Sequence, residues 1–209
     1  ESLQHPSILS RLPQTGQLHR EHLQLLAENL YQKNTELEKA NERLRNVSLT
    51  DGLTGLNNRR GFMILATGLL KFARRAGYSL CLLYIDLDSL KYINNTFGHI
   101  AGDTAITHFA RILTETFRDS DVIGRMGGDE FVILLIDATA SDITGMQALL
   151  QSNVDAHNLQ TGRDYALSFS LGVIQVNINS TETMETLLAL ADTEMYKHKR
   201  ARKDKTGSQ

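Results

Sequence analysis

The chain has 209 residues, 41% of them hydrophobic, with 22 basic and 24 acidic side chains for a formal net charge of -2. That length can bury one full-sized core with room for an extra element, but not two large domains, and the intermixed charge excludes a general nucleic-acid or anionic-membrane binder. The lone cysteine, Cys81, lies inside the apolar run 80–87, which excludes a disulfide framework and predicts a buried reduced thiol. No segment approaches the length needed to cross a bilayer, so the expectation is a soluble, cytoplasmic portion of a longer protein.

Residues 1–16 carry both prolines, Pro6 and Pro13, show no periodicity and read as a tail or linker. Over 17–48 the pattern changes: Leu23, Leu30, Leu37 and Leu44 recur every seventh residue, with Leu26, Lys33, Ala40 and Val47 at the alternate seam positions between charged neighbours. A lone amphipathic helix packed on its own domain would also be periodic. A narrow seam held over about four heptads instead predicts a long N-terminal stalk helix that pairs with a second copy, although Lys33 weakens the seam.

A turn at 51–58 is followed by a predicted helix at 59–76 and a strand at 79–87 that is apolar enough to be buried on both faces. Residues 101–117 predict a helix with Ile106, Ala110, Leu113 and Phe117 along one side. Short strands at 121–126 and 131–136 flank Gly127 and Gly128, which make a hairpin turn because glycine enters positive φ without strain. A helix at 141–156, a strand at 165–176 and a closing helix at 183–202 complete a domain spanning 49–203, with 204–209 as a tail. The order βαββαβ defines an α/β (α+β) fold with a central, mainly antiparallel sheet. A right-handed crossover makes the first two strands parallel, and the third slots antiparallel between them.

That topology brings Asp86, at the carboxyl end of the first strand, beside Asp129 and Glu130 at the beginning of the third. Taken alone, Gly127-Gly128-Asp129-Glu130 is a hairpin turn, and Asp86 with Asp88 is a polar strand end. Together, three or four carboxylates converge without nearby basic residues to neutralise them, an arrangement that is costly unless a cation fills the gap. Magnesium, which takes one or two carboxylates plus substrate phosphates, suits such a place, and manganese has the same ligand chemistry.

The segment from about 48 to 203 resembles the GGDEF domain of the diguanylate cyclase family. The resemblance rests on Asp51-Gly52-Leu53-Thr54-Gly55-Leu56-Asn57-Asn58-Arg59-Arg60, on Asp86-Leu87-Asp88-Ser89-Leu90-Lys91, on Asn94, Gly98-His99 and Gly102-Asp103, and on Gly127 through Phe131. Ser170-Leu171-Gly172, Ala191-Asp192, Met195-Tyr196 and Lys199 extend it. It implies a nucleotidyl-cyclase or palm-like fold and the condensation of two GTP into cyclic di-GMP and pyrophosphate by a homodimer, with one nucleotide on each subunit. It also implies that Asp86, the Leu87 carbonyl, Asp129 and Glu130 hold Mg2+ or Mn2+. Asp129 is then the proton acceptor, Glu130 supports the cation cluster, and Lys91 stabilises charge on the transferring phosphoryl group. Gly127 and Gly128 let phosphates approach the backbone, and Lys199 and Lys203 match triphosphate contacts, though a basic helix end explains these lysines too. At the last place the family usually has glycine followed by arginine, where this chain has Arg202 and Lys203.

By the same resemblance Asn94 and Asp103 read guanine, whose adjacent donors suit an acceptor carboxylate. His99, with no nucleophile accompanying it in the sequence, reads as a structural or peripheral nucleotide contact rather than a catalytic base. The plainer readings are a turn residue at Asn94 and a helix cap at Asp103. Arg118 and Asp121 stand where many family members carry an inhibitory Arg-x-x-Asp site for the cyclic di-GMP product; a surface ion pair is the plainer explanation. An upstream sensory module acting through the stalk is expected. Two alternatives stay open. One is a non-catalytic GTP or cyclic di-GMP receptor signalling through the stalk, which the intact Gly127 to Phe131 signature argues against and to which the Arg202 and Lys203 departures lend some support. The other is a cyclase or palm-like polymerase for another nucleotide, which shares the acidic geometry but not the pattern at Asn94 and Asp103.

Overall fold

A computed structural model of the chain describes residues 23–36, 49–138, 140–162 and 164–206, and these fall into two units, Glu1–Ser48 and Leu49–Gln209. In the first unit, residues 23–36 form helix α1. Its seam residues Leu23, Leu26 and Leu30 are 51%, 45% and 71% exposed, and Lys33 pairs with Glu36 at 2.8 Å. The expected tail at 1–16 and the seam positions Leu37, Ala40, Leu44 and Val47 lie outside the described residues.

The second unit opens with a two-residue strand, β1 (Asn57–Asn58), and helix α2 (Arg59–Ala76). The helix starts where Asn58 accepts the Gly61 amide at 2.9 Å and ends at Gly77, whose φ of 78° closes its last turn. Strand β2 (Leu80–Leu87) is buried along its whole length, Asp86 included, as its largely apolar run predicts. Helices α3 (Leu90–Phe97) and α4 (His99–Thr116) follow, then the hairpin of β3 (Val122–Gly127) and β4 (Glu130–Ile136). Helix α5 (Ala140–Thr161), strand β5 (Phe169–Val176) and helix α6 (Met184–Thr206) complete the unit.

The sheet order is β1-β3-β4-β2-β5. As the topology requires, β4 lies between β3 and β2, antiparallel to both, and β5 covers the other edge of β2 antiparallel. Among the described residues β1 and β3 are the one pair of neighbouring strands that runs parallel. The alternation of side chains along β2 and β4 divides the core in two. Cys81, Leu83, Ile85, Phe131, Ile133 and Leu135 face Phe109 and Leu113 of α4 and Leu150 and Val154 of α5, whereas Leu80, Leu82, Val132 and Leu134 face Phe62 and Leu70 of α2 and Leu187 and Ala191 of α6. Cys81 is fully buried and reduced; its thiol donates to Gln175 Oε1 at 2.8 Å, and burial pushes its pKa up to about 11.

Several boundaries differ from expectation, among them the end of α5, which runs to Thr161 rather than 156. Helix α3 was not expected as a separate element and α4 begins at His99, because Gly98, with φ 87°, turns the chain between two helices that read as one loop and one helix. Strand β5 begins at Phe169 rather than 165. Helix α6 runs through Thr206, past the expected end at 202 and into the expected tail, since its charged last turns contain no proline or glycine to stop it.

Candidate active site

The site is built on the carboxyl end of β2. Asp86 is directly opposite Glu130 of β4 on one side and Ser170 of β5 on the other, so the three residues share one face of the sheet, the face covered by α2 and α6. The Leu87 amide donates to the Asp129 carbonyl at 2.9 Å, which docks the glycine turn against the acidic strand end. The expectation that no basic group lies close is corrected here: Lys199 of α6 places Nζ 2.6 Å from Asp86 Oδ1. Two neighbouring turns of α6 can reach this face because Gly172 has no side chain; a Cβ there would run into Ala191 O and Met195 N.

The electrostatics are those of a cluster short of positive charge. Burial lifts the Asp86 carboxyl above its ordinary value, and Asp129 and Asp88 push the same way, against the hydrogen bond from Lys199. For Lys199 burial works downward, but the neighbouring carboxylate outweighs it and keeps the ammonium's pKa raised. Burial also lifts Glu130, which is hydrogen-bonded to Tyr84 and faces Asp192, Asp129 and Asp86. Among the described residues no three His, Cys, Asp or Glu side chains form a ready-made metal cage. Magnesium needs none, since it completes its shell with water and phosphate oxygens. Asp86, Asp129 and the Leu87 carbonyl are hard oxygen donors of the right kind, and Asp86 already draws a cation.

The turn itself is held by a residue to which sequence reasoning attached no role. Arg125 donates from Nε and Nη2 to the Gly128 carbonyl at 3.1 and 2.7 Å, and from Nη1 to Asp51 Oδ1 at 3.0 Å. Asp51 also accepts from the Thr54 amide and hydroxyl at 2.9 and 2.7 Å. Gly127 and Gly128 have φ of 151° and 49°, as the hairpin reading requires. The signal for Arg125 was its place at the head of the glycine signature; its partner, Asp51, is too far away in sequence to be read from spacing.

Beyond the strand end, Lys91 is exposed in the first turn of α3, and Asn94 is half-buried in the same helix, where it packs against Gly102 of α4. Asn94 is therefore helical rather than a turn residue. Asp103 lies inside α4, which starts at His99, so it is not the helix cap that its plainer reading supposed. Both Asp103 and His99 are exposed. The backbone of Lys203 continues α6; its side chain lies outside the described residues.

Arg118 and Asp121 stand apart from this cluster, at the opposite end of β3 from the glycine turn, about 20 Å away along a six-residue strand. Asp121 accepts the Arg118 amide at 3.0 Å and the Ile136 amide at 3.4 Å, so its half-buried carboxylate ties the chain where β3 begins. Arg118 is exposed beside a cavity of about 250 Å³ that is also lined by Asn57, Thr114 and Ile123.

The acidic strand end, the clamped glycine turn and the α3–α4 pair together are those of a nucleotide cyclase domain. Residues 48–205 match the family model described as diguanylate cyclase, GGDEF domain, and the chain belongs to that family. Among its curated relatives, the probable diguanylate cyclase DgcC of Escherichia coli K12 is 35% identical over 176 residues, 84% of this chain and 47% of that protein. The chain spans about half the length of the curated relatives it matches. Among solved structures, diguanylate cyclase SiaD of Pseudomonas aeruginosa, in complex with its activator SiaC, superposes with a TM-score of 0.67 at 28% identity over 92% of this chain and 76% of that one. The coiled coil and GGDEF domain of DgcB from Caulobacter crescentus, in complex with c-di-GMP, gives 0.68 at 26% identity over 84% and 95%.

Proposed function

We propose that this chain condenses two GTP into cyclic di-GMP and pyrophosphate as a Mg2+- or Mn2+-dependent homodimer. The observation that carries the reading is the Leu87 to Asp129 hydrogen bond of 2.9 Å, which joins the glycine signature to the strand end bearing Asp86. The 35% identity to a probable diguanylate cyclase supports the same activity.

Asp86, the Leu87 carbonyl, Asp129 and Glu130 would hold the ion. When bound, a divalent ion supplies charge neutralisation on the triphosphate and lowers the pKa of an attacking hydroxyl. The protein's own groups do the rest. Asp129 accepts the proton of the 3′-hydroxyl, and Lys91, Lys199 and Lys203 offer fixed positive charge to phosphate oxygens, while Gly127 and Gly128 leave room for the phosphates against the turn. Asn94 and Asp103 bond the guanine edge, with His99 as a peripheral contact, and reject bases lacking its donors.

Each protomer carries half of the reaction centre, so the second copy must be delivered to it. The exposed leucines of α1 support a coiled-coil stalk that raises the effective concentration of the partner and passes on the state of an upstream sensory domain. Arg118 and Asp121 form a product site for cyclic di-GMP, a reading supported by the DgcB complex with that nucleotide. Among the described residues no helix is long and apolar enough to cross a membrane, and the GTP substrate favours a cytoplasmic site of action.

The test is incubation with GTP and Mg2+ over a range of protein concentrations, followed by chromatographic separation, with Asp129→Ala as control. Pyrophosphate and cyclic di-GMP from the wild type alone support the enzyme. GTP binding without turnover at high protein concentration would make the chain a receptor.

A further inference from the structure

Among the described residues the buried polar and charged side chains are Asp86, His157 and Ser170, and Ser170 is the most enclosed, at 1% exposure. It lies on β5 directly opposite Asp86, and its hydroxyl donates to Asp88 Oδ1 at 2.8 Å. The Asp88 amide donates in turn to the Ser168 carbonyl at 2.8 Å, so Asp88 is tied to the β5 side by both backbone and side chain. The next residue, Ser89, has φ 61°, a left-handed conformation uncommon outside glycine. Its carbonyl accepts the Ile93 amide at 3.0 Å and so sets the first turn of α3, where Lys91 stands. Backbone strain of this kind persists only where the surroundings hold it, and the double tie on Asp88 is immediately next to it.

We infer that Ser170 is a positioning residue of the acidic strand end: by holding the Asp88 carboxylate it maintains the Asp88–Ser89 turn, and with it the spacing between Asp86 and Leu87 on one side and Lys91 on the other. The inference rests on the proposed role of those residues in holding a divalent ion and GTP phosphates. Without the hydroxyl, Asp88 loses its side-chain anchor, the strained turn relaxes, and the carbonyl and ammonium groups drift from one common nucleotide.

The experiment uses the full chain with Ser170→Ala, Asp88→Ala and the double variant. It measures Mn2+ binding by electron paramagnetic resonance in the presence of a non-hydrolysable GTP analogue, turnover of GTP, and thermal melting. Each single variant is expected to bind Mn2+ with the analogue about tenfold more weakly and to lose kcat by a similar factor, the scale of one charge-assisted hydrogen bond. The double variant is expected to be no worse than either, because both remove one interaction. A folded single variant with wild-type Mn2+ binding overturns the inference, as do losses that multiply in the double variant. Should Ser170→Ala fail to fold, Asp88→Ala leaves the packed serine in place and decides by the same readout. A wild type that binds Mn2+ and analogue yet makes no cyclic di-GMP would overturn the proposed catalysis alone, with Mn2+ binding still deciding the role of Ser170.

Discussion

Lys199 and Asp86, 113 residues apart, meet at 2.6 Å, and this ion pair sits where the carboxylate would also serve a metal. A divalent ion held by Asp86, as proposed, would compete with the ammonium for one oxygen. Lys199→Met is therefore expected to tighten Mn2+ binding by the nucleotide-free protein while raising KM for GTP, each by about tenfold, since one charged hydrogen bond is at stake on either side. Metal titration followed by magnetic resonance, set beside steady-state kinetics, checks the opposite signs. Weakening of both would show that the lysine supports the metal site instead of competing with it.

Gly172 is where α6 crosses β5, and a methyl group there has nowhere to go because it meets helix backbone rather than a movable side chain. Gly172→Ala is expected to destabilise the fold by about 1–3 kcal/mol, a drop in melting temperature on the order of 3–10 °C. It should also move Lys199 off Asp86, so activity is expected to fall at temperatures where the protein is still folded. Melting curves and assays on one preparation separate the two effects.

Asp51 makes stability depend on pH in the acid range. Burial works to raise its pKa, but hydrogen bonds from Thr54 and Arg125 outweigh burial and hold it below its ordinary value. A carboxylate depressed in the folded state contributes stability above its unfolded pKa and loses it as pH falls through the folded value, so the loss begins near pH 4 and grows below it. Asp51→Asn is expected to cost about 1–2 kcal/mol at neutral pH and to flatten that part of the acid limb. Denaturant titrations between pH 2 and 7 measure both.

Arg118 and Asp121 differ in what else they do. Asp121 holds two backbone amides, whereas the Arg118 side chain is exposed. Both Arg118→Ala and Asp121→Ala are expected to abolish inhibition by added cyclic di-GMP, but only Asp121→Ala should lower the melting temperature, by an amount matching about 1–3 kcal/mol. Arg118→Ala is expected to keep the initial rate of the wild type. Inhibition that survives in Arg118→Ala would remove the product site from this corner.

Leu30 is 71% exposed on α1. Leu30→Asp puts a charge into the expected seam, so it should shift sedimentation toward monomer and make turnover depend more steeply on protein concentration. Cysteine crosslinks at Leu30 placed in different registers should give different rates. Equal rates would leave the stalk without a signalling role.

Much of the fold was legible because it follows from neighbouring residues. A largely apolar run marks β2, two adjacent glycines mark the hairpin, and the turn at 51–58 marks the start of α2. Even the slot of β4 between its neighbours follows once the first two strands are made parallel by a right-handed crossover and the split arrangement is assumed. Helix α3 escaped because eight residues joined to α4 through Gly98 show too few turns to separate the two periods.

The residue types at the site, carboxylates at two strand ends around a glycine turn, were set by sequence alone, since spacing and chain topology decide which strand ends become neighbours. Which side chain answers which charge was decided only by tertiary structure. Lys199 on Asp86, Arg125 on Asp51 and Ser170 on Asp88 join positions 113, 74 and 82 residues apart. The physical reason is that such pairs depend on strand register and on how closely a helix approaches the sheet, down to the missing side chain of Gly172, and no periodicity along the chain encodes those distances.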